Sequence, residues 1–346
     1  MIVILVGAKV NLGDFLIGSR AEQLLKEFVD EEIIALDRFK DLTPHIEIIN
    51  SARMVILCGG PAYAKNFHPG VYPLVDDLSK IKVPIVPFGL GWSGSPANEP
   101  DKFAFDAKSL EAIKTIHAGI EKSSCRDVLT ASILENHGIE NVEMTGCPVW
   151  YHLPSVGKGF KKPTEVQKIV LTTPASHKLL KQTLQVLKLV KKKYPKAQVY
   201  LSFHRGILGG KGNGPRKRLA YLGMCIGAKL ISLKTKITNV AYDLKKIDYY
   251  NDCDLHIGYR VHAHLYFLSK RLPSVLLNED GRGRGQVLSM NLPELNIDDP
   301  EVMDKLSKVM QEDVDNNFSR YDNVEKLIDN NFELMKKFLI DLNERY

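Results

Sequence analysis

The opening stretch MIVILVGAKVNLGDFLIGSRAEQLLKEF (residues 1–28) decides how the rest of the chain is read. IVILVGA (2–8) is apolar for only a few residues and has no basic leader, so it predicts a β-strand rather than a signal peptide. The residues after NLGD (11–14) carry Leu16, Leu24, Leu25 and Phe28 in an apolar stripe at helical spacing. A strand that leads through a short glycine-containing turn into an amphipathic helix is half of a β-α-β unit. Its repetition would impose a parallel sheet with crossover helices.

The repetition is present. EIIALD (32–37), MVILCGG (54–60), VPIVPFGLG (83–91), IEKSSC (120–125) and VEMTG (142–146) read as further strands. Between them, DKFAFDAKSLEAIKTIHAG and DVLTASILENHG read as helices that end at glycine. The segment HLPSVGKGFKKPTEVQ (152–167) breaks the alternation with Gly, Pro and Lys and reads as an interdomain linker. The alternation then resumes. KIVLTTP (168–174), AQVYLSF (197–203), KLISLK (229–234), LHIGY (255–259) and PSVLLNE (273–279) are the predicted strands. From Asn291 the chain turns helical and acidic, and Val324, Leu327, Ile328, Phe332, Met335, Phe338, Leu339 and Leu342 form a stripe that requires a packing partner. The expected organisation is an N-terminal α/β domain (1–152), a second α/β domain (165–290) and a C-terminal helical tail (291–346). A chain of 346 residues accommodates two such domains.

The five cysteines are scattered without a CxxC pair, and no apolar run approaches the roughly 20 residues of a membrane-spanning helix. Both features predict a cytoplasmic protein with reduced thiols. The net charge of +6 conceals a strong asymmetry. Residues 155–240 hold 19 Lys or Arg and a single acid, Glu165, so 19 − 1 = +18, and the remainder carries 6 − 18 = −12. Such a block reads either as a solvated basic helix face or as a site for an anionic partner. That partner would be a phosphorylated ligand, a diphospho-lipid acceptor or the negative inner face of a membrane, contacted peripherally. Nucleic acid is disfavoured because aromatic residues are not interleaved with the basic ones.

Open parallel sheets bind ligands at the carboxyl ends of their strands, so chemistry is sought there. Gly13 and Asp14 follow the first strand, where a helix N-terminus offers free N–H groups to an anion; Asp14 also reads as a helix N-cap. Gly59 and Gly60 follow the third strand, and Trp92, after the fourth, is either a sugar-stacking ring or a packed indole. Arg126 and the cap residue Asp127 stand at a strand-to-helix junction. His204 and Arg205 open the basic, glycine-rich FHRGILGGKGNGPRKR (203–218), which lacks P-loop spacing and leads to Pro215 at a predicted helix start. In GYRVHAH (258–264), Arg260 and His262 fall at a strand end or first helical turn. On a helix His262 and His264 diverge by about 200°. With no acidic or cysteine ligand beside them, no metal is expected.

In their order and spacing, four of these pieces resemble the polysaccharide pyruvyl transferase family. They are NLGD with its helix, VILCGG, CRDVLTASILENHGIENVEMTGCP and, most closely, GYRVHAHLYFLSKRLPSVLL. The resemblance implies two Rossmann-like domains facing across a cleft, the glycosyltransferase B arrangement. It implies transfer of a pyruvyl group from phosphoenolpyruvate to a sugar, as a ketal, with no other cofactor. It matches Arg260 and His262 to the family's donor-binding and catalytic R-x-H pair, and Arg126 to the Arg of its R-D segment. His262 is then the expected general acid, Arg260 and Arg126 bind the donor's anionic groups, and His204 or Arg205 supports them. The acceptor would be a sugar or lipid-linked glycan of a cell-surface polysaccharide. Two departures stand out: Cys147 replaces the usual Asp of a T-G-D-P turn, and NEDGRGRG (278–285) replaces the usual ending after the last strand. They keep two other readings open, a nucleotide-sugar-dependent glycosyltransferase and a non-catalytic binding protein on the same scaffold.

Overall fold

A computed structural model of the chain describes residues 1–8, 11–94, 100–207 and 214–346. The Gly-rich segment 208–213 and the end of the loop after Trp92, 95–99, lie outside the described residues.

The first sheet has six strands, all parallel: β1 (Ile2–Val6), β2 (Ile33–Asp37), β3 (Val55–Tyr63), β4 (Ile85–Trp92), β5 (Ser123–Cys125) and β6 (Val142–Met144), in the order β2-β1-β3-β4-β5-β6. Successive side chains of a strand face opposite ways, and β1 uses both faces. Ile2 and Ile4 join one buried cluster while Val3 and Leu5 join another on the far side. Helix α1 (Leu12–Phe28) returns over the first of these faces with Leu16, Leu24 and Leu25 buried, as its stripe predicts. Helices α2 (Ile46–Ser51), α3 (Ala107–Ala118) and α4 (Val128–Asn136) complete the domain.

The second sheet has five parallel strands: β7 (Lys168–Thr172), β8 (Gln198–Phe203), β9 (Lys236–Asn239), β10 (Leu255–Gly258) and β11 (Ser274–Leu276), in the order β11-β10-β7-β8-β9. Its helices are α5 (Leu180–Lys193), α6 (Pro215–Ile231), α7 (Val261–Ser269) and α8 (Gly281–Ser289). Two sequence expectations are corrected here. KLISLK (229–234) is no strand: α6 runs on to Ile231, and the strand is KITN, 236–239. NEDGRGRG does not merely end the last strand but opens α8, with Asp280 capping the helix by accepting from the Arg282 N–H at 3.0 Å. Within residues 152–167, which read as holding little that could be buried, Phe160 stacks on Tyr321 at 5.3 Å between ring centroids, and Val166 is buried.

The tail comprises α9 (Val302–Asp315) and α10 (Arg320–Arg345). The α10 stripe finds its partner on the N-terminal domain. Phe338 stacks on Phe88 of β4 at 6.2 Å, Phe332 lies 6.0 Å from Phe28 of α1, and Arg53 donates to the Asn343 carbonyl. One continuous apolar cluster therefore runs from β1 through the second domain to Leu342. Among the described residues no helix is long and apolar enough to cross a membrane.

Candidate functional site

In each sheet the strand order reverses once, and a crevice opens at the carboxyl ends of the two strands that flank the reversal. In the first sheet the reversal lies between β1 and β3, and in the second between β7 and β10. The two crevices face each other and form a cleft. From the first domain it is lined by Asn11, Gly13, Asp14, Pro61 and Arg126. From the second it is lined by His204, by Tyr259 to His262 after β10, and by Glu279, Asp280 and Arg282 at the start of α8.

Of the residues picked from sequence, the cleft collects Gly13, Asp14, Arg126, His204, Arg260 and His262. Helix α1 begins at Leu12 with Asn11 as its cap residue, so Asp14 is the third helical residue rather than the N-cap. Burial raises the Asp14 carboxyl above its ordinary range, against the opposing pull of Arg38. Gly13 is where the domains touch. A Cβ built there would stand 2.3 Å from His262 Nδ1, so only glycine admits the imidazole.

Arg126 is 2 % exposed. Its Nε donates to Asp127 at 3.0 Å and its Nη2 to the Trp92 carbonyl at 2.8 Å. Asp127 caps α4 as predicted, accepting from the N–H and hydroxyl of Thr130 at 2.8 Å each. The guanidinium lies flat against Gly91, where a Cβ would come within 1.8 Å of Nε. Arg260 caps α7. Its backbone N–H donates to Thr172 Oγ1 at 3.2 Å and its Nη2 to the Pro174 carbonyl at 3.0 Å. Its Nε is buried and meets no partner among the described residues. A buried charged donor left without an acceptor marks a place for a ligand's anionic group.

His262 is half-buried, and burial, then Arg126, Arg282 and Arg260, push its imidazole down to about 3. At neutral pH it is therefore uncharged. His204 is buried, its Nε2 2.9 Å from the hydroxyl of Tyr250, which in turn lies 2.6 Å from Ser202 Oγ. Arg205 is exposed at the end of β8 and is not part of the lining, though its charge reaches Asp14 and Arg260. His264 does not reach the cleft: fully buried, it places Nδ1 2.7 Å from Ser274 Oγ.

Besides Arg205, three picks lie elsewhere, Gly59, Gly60 and Trp92, as does Cys147. Gly59 and Gly60 turn at φ +53° and +81° and pack on Ile17 and Arg38. Trp92 is the last residue of β4 and 1 % exposed, so its ring cannot meet a sugar in this arrangement; it covers Gly281 instead. Cys147 is buried, and burial pushes its thiol up to about 11, which makes it an inert packing residue.

The sequence picks missed Arg282 and Glu279. Arg282 Nε is 2.9 Å from the Asp280 carboxylate, at the mouth of the cleft. Glu279 accepts from the N–H of Ala175 at 2.8 Å and of Ser176 at 3.1 Å, which occupies the backbone donors that follow β7. The available signal was the GRGRG run. Its small residues let α8 approach the first domain, with Gly281 against Trp92 and Gly94 and Gly285 against Asp127.

Comparison with known proteins agrees with this layout. The structure is similar to an MnaA–UDP co-structure from S. aureus (TM-score 0.60, 13% identity, 94% of this chain and 92% of that one). It is also similar to a UDP-N-acetylglucosamine 2-epimerase (TM-score 0.56, 11% identity, 99% and 96%) and to the UDP-GlcNAc 2-epimerase of Neisseria meningitidis bound to UDP-GlcNAc (TM-score 0.54, 10% identity, 99% and 100%). At such identities the likeness establishes the fold: two Rossmann-like domains of the glycosyltransferase B type. No curated protein sequence matches the chain. The family model described as polysaccharide pyruvyl transferase matches residues 11–281, from the cap of α1 to the first residue of α8. The chain therefore belongs to the polysaccharide pyruvyl transferase family and is a transferase.

Proposed function

We propose that the protein transfers the pyruvyl group of phosphoenolpyruvate to two hydroxyls of a sugar in a cell-surface glycan or its precursor, leaving a ketal and inorganic phosphate. The observation that carries this reading is the convergence of Arg126, Arg260 and Arg282 on His262, with Arg260 Nε lacking a partner among the described residues. Guanidinium groups bind carboxylate and phosphate through paired hydrogen bonds, and phosphoenolpyruvate carries both anions on one carbon.

The reaction begins with a proton on the methylene carbon of the donor, delivered by the imidazolium of His262. Positive charge then develops on the neighbouring carbon. One sugar hydroxyl adds there and gives up its proton, for which Asp14, with its raised pKa, is a suitable base. The second hydroxyl displaces phosphate, whose oxygens take the remaining proton. Burial and, after it, three guanidiniums hold His262 neutral; the donor's negative charge offsets the guanidiniums and so favours a proton on the imidazole as the donor binds. Glu279 supports a compact donor over a nucleotide diphosphate, because it occupies the N–H groups of Ala175 and Ser176. The fold relatives crystallised with UDP or UDP-GlcNAc support a sugar as the other substrate.

Purified protein supplied with phosphoenolpyruvate and a panel of glycan acceptors is expected to release inorganic phosphate. Calorimetry in buffers of different ionisation enthalpy should show uptake of a proton on donor binding, lost in His262→Gln. Release of a nucleoside diphosphate from a nucleotide sugar, with no phosphate from phosphoenolpyruvate, overturns the reading. Gly91→Ala tests the anion site. Its methyl group would displace the Arg126 guanidinium, and a misplacement of about 1 Å costs on the order of 10²-fold in kcat/KM. Full activity in a correctly folded Gly91→Ala variant would show that Arg126 does not hold the donor.

A further inference from the structure

Helix α6 has two apolar faces. Tyr221, Met224 and Ala228 are buried against the second domain, and Gly227 brings the helix onto α5, where a Cβ would lie 2.6 Å from Leu184 Cδ1. The opposite face carries Leu219 (72 % exposed), Leu222 (39 %), Ile226 (63 %) and Leu230 (83 %), and Leu233 just beyond the helix is 83 % exposed. At 100° per residue the four helical positions fall within an arc of about 80°. Single exposed leucines are ordinary, but a continuous stripe of them along a helix is not.

The surroundings of the stripe narrow what covers it. Arg216, Lys229 and Lys234 are exposed beside it, and no acidic residue occurs between Lys178 and Lys236. A second copy of the chain docking face to face would bring the same positive block against itself, at a cost from like-charge repulsion. An apolar stripe flanked by Lys and Arg matches the requirements of a helix lying in the plane of an anionic bilayer. Its leucines enter the acyl boundary while the basic side chains meet the headgroups. We propose that α6 docks the protein onto an anionic lipid surface. The first turn of α6 sits beside the cleft, since Lys217 feels the charges of Arg205, Arg260 and Glu279. Docking would therefore hold the cleft close to the membrane. The proposal holds whichever donor the cleft uses.

The test is co-sedimentation of the full chain with vesicles. Binding is expected to phosphatidylcholine vesicles containing phosphatidylglycerol, and to be about tenfold or more weaker to phosphatidylcholine alone or in high salt. The triple variant Leu219→Ser, Ile226→Ser, Leu230→Ser should lose binding to a similar degree while unfolding at the same temperature, because these side chains are exposed. Ile226→Trp supplies a second readout: its fluorescence should shift to the blue on addition of anionic vesicles. Equal binding to neutral vesicles, no binding to anionic ones, or undiminished binding by the triple variant overturns the proposal. So does a dimer in sedimentation velocity that the triple variant dissolves, since the stripe would then belong to a second copy.

Discussion

His262→Ala is expected to lower kcat by roughly 10²–10⁴-fold, the usual contribution of a positioned general acid, while leaving far-UV circular dichroism and thermal unfolding close to wild type. The expectation rests on geometry. His262 is the titratable group around which Arg126, Arg260 and Arg282 gather, and it lies against Gly13 across the domain boundary. The side chain is only half-buried and neutral, so its removal exposes no uncompensated charge. His262→Gln keeps the volume and separates shape from proton transfer. It should be nearly as inactive as Ala, yet bind phosphoenolpyruvate without taking up a proton. Near-normal turnover in either variant removes His262 from the mechanism and leaves Asp14 as the acid–base group to examine.

Acid should unfold the protein steeply. Burial holds His117 at about 4 and His264 at about 3, pushes His204 and His256 well below the ordinary 6.5, and with its arginines holds His262 at about 3. In the unfolded chain all five protonate near 6.5. The unfolded state therefore binds more protons than the native state, and stability present above pH 6.5 is lost as pH falls toward 4. Each histidine that stays neutral costs about 1.4 kcal/mol per pH unit in that window. Asp313 works the other way: burial lifts its carboxyl to about 6 despite Arg320, so the native state gains a proton there first. Asp14, whose carboxyl burial also raises, adds to that opposition, and two carboxyls do not cancel five histidines. Denaturant midpoints measured at a series of pH values between 6.5 and about 4 should fall continuously, and a flat profile would mean that these imidazoles are hydrated or charged in the native protein.

The buried histidines also illustrate what can be read locally. His256 and His264 share Ser274 Oγ at 2.8 and 2.7 Å, a contact between residues on β10, α7 and β11 that no spacing announces. What spacing does announce is the strand that precedes Arg260 and the helix that follows it, and that pair already places the residues at a cleft. Asp127 as a cap, Pro215 at a helix start and the α10 stripe were legible for the same reason: each depends on a few neighbouring residues and a period of 3.6. The end of α6 differs from the expected strand because KLISLK is a short apolar run bounded by lysines, which a strand and a helix end share, and its leucines are exposed on a helix and in the turn after it.

The sequence alone determined the two α/β units, the order of their elements and the family motif around His262, since these are written in local periodicity and short-range spacing. Only the tertiary structure decided that Gly13 abuts His262, that Arg282 and Glu279 belong to the cleft, that Trp92 and Cys147 do not, and that α6 keeps a second apolar face uncovered. Those outcomes depend on which surfaces two domains bring together. Gly13 meets His262, Gly281 meets Trp92 and Arg126 joins the cleft of His262 from more than a hundred positions away, and no period in the chain encodes such contacts.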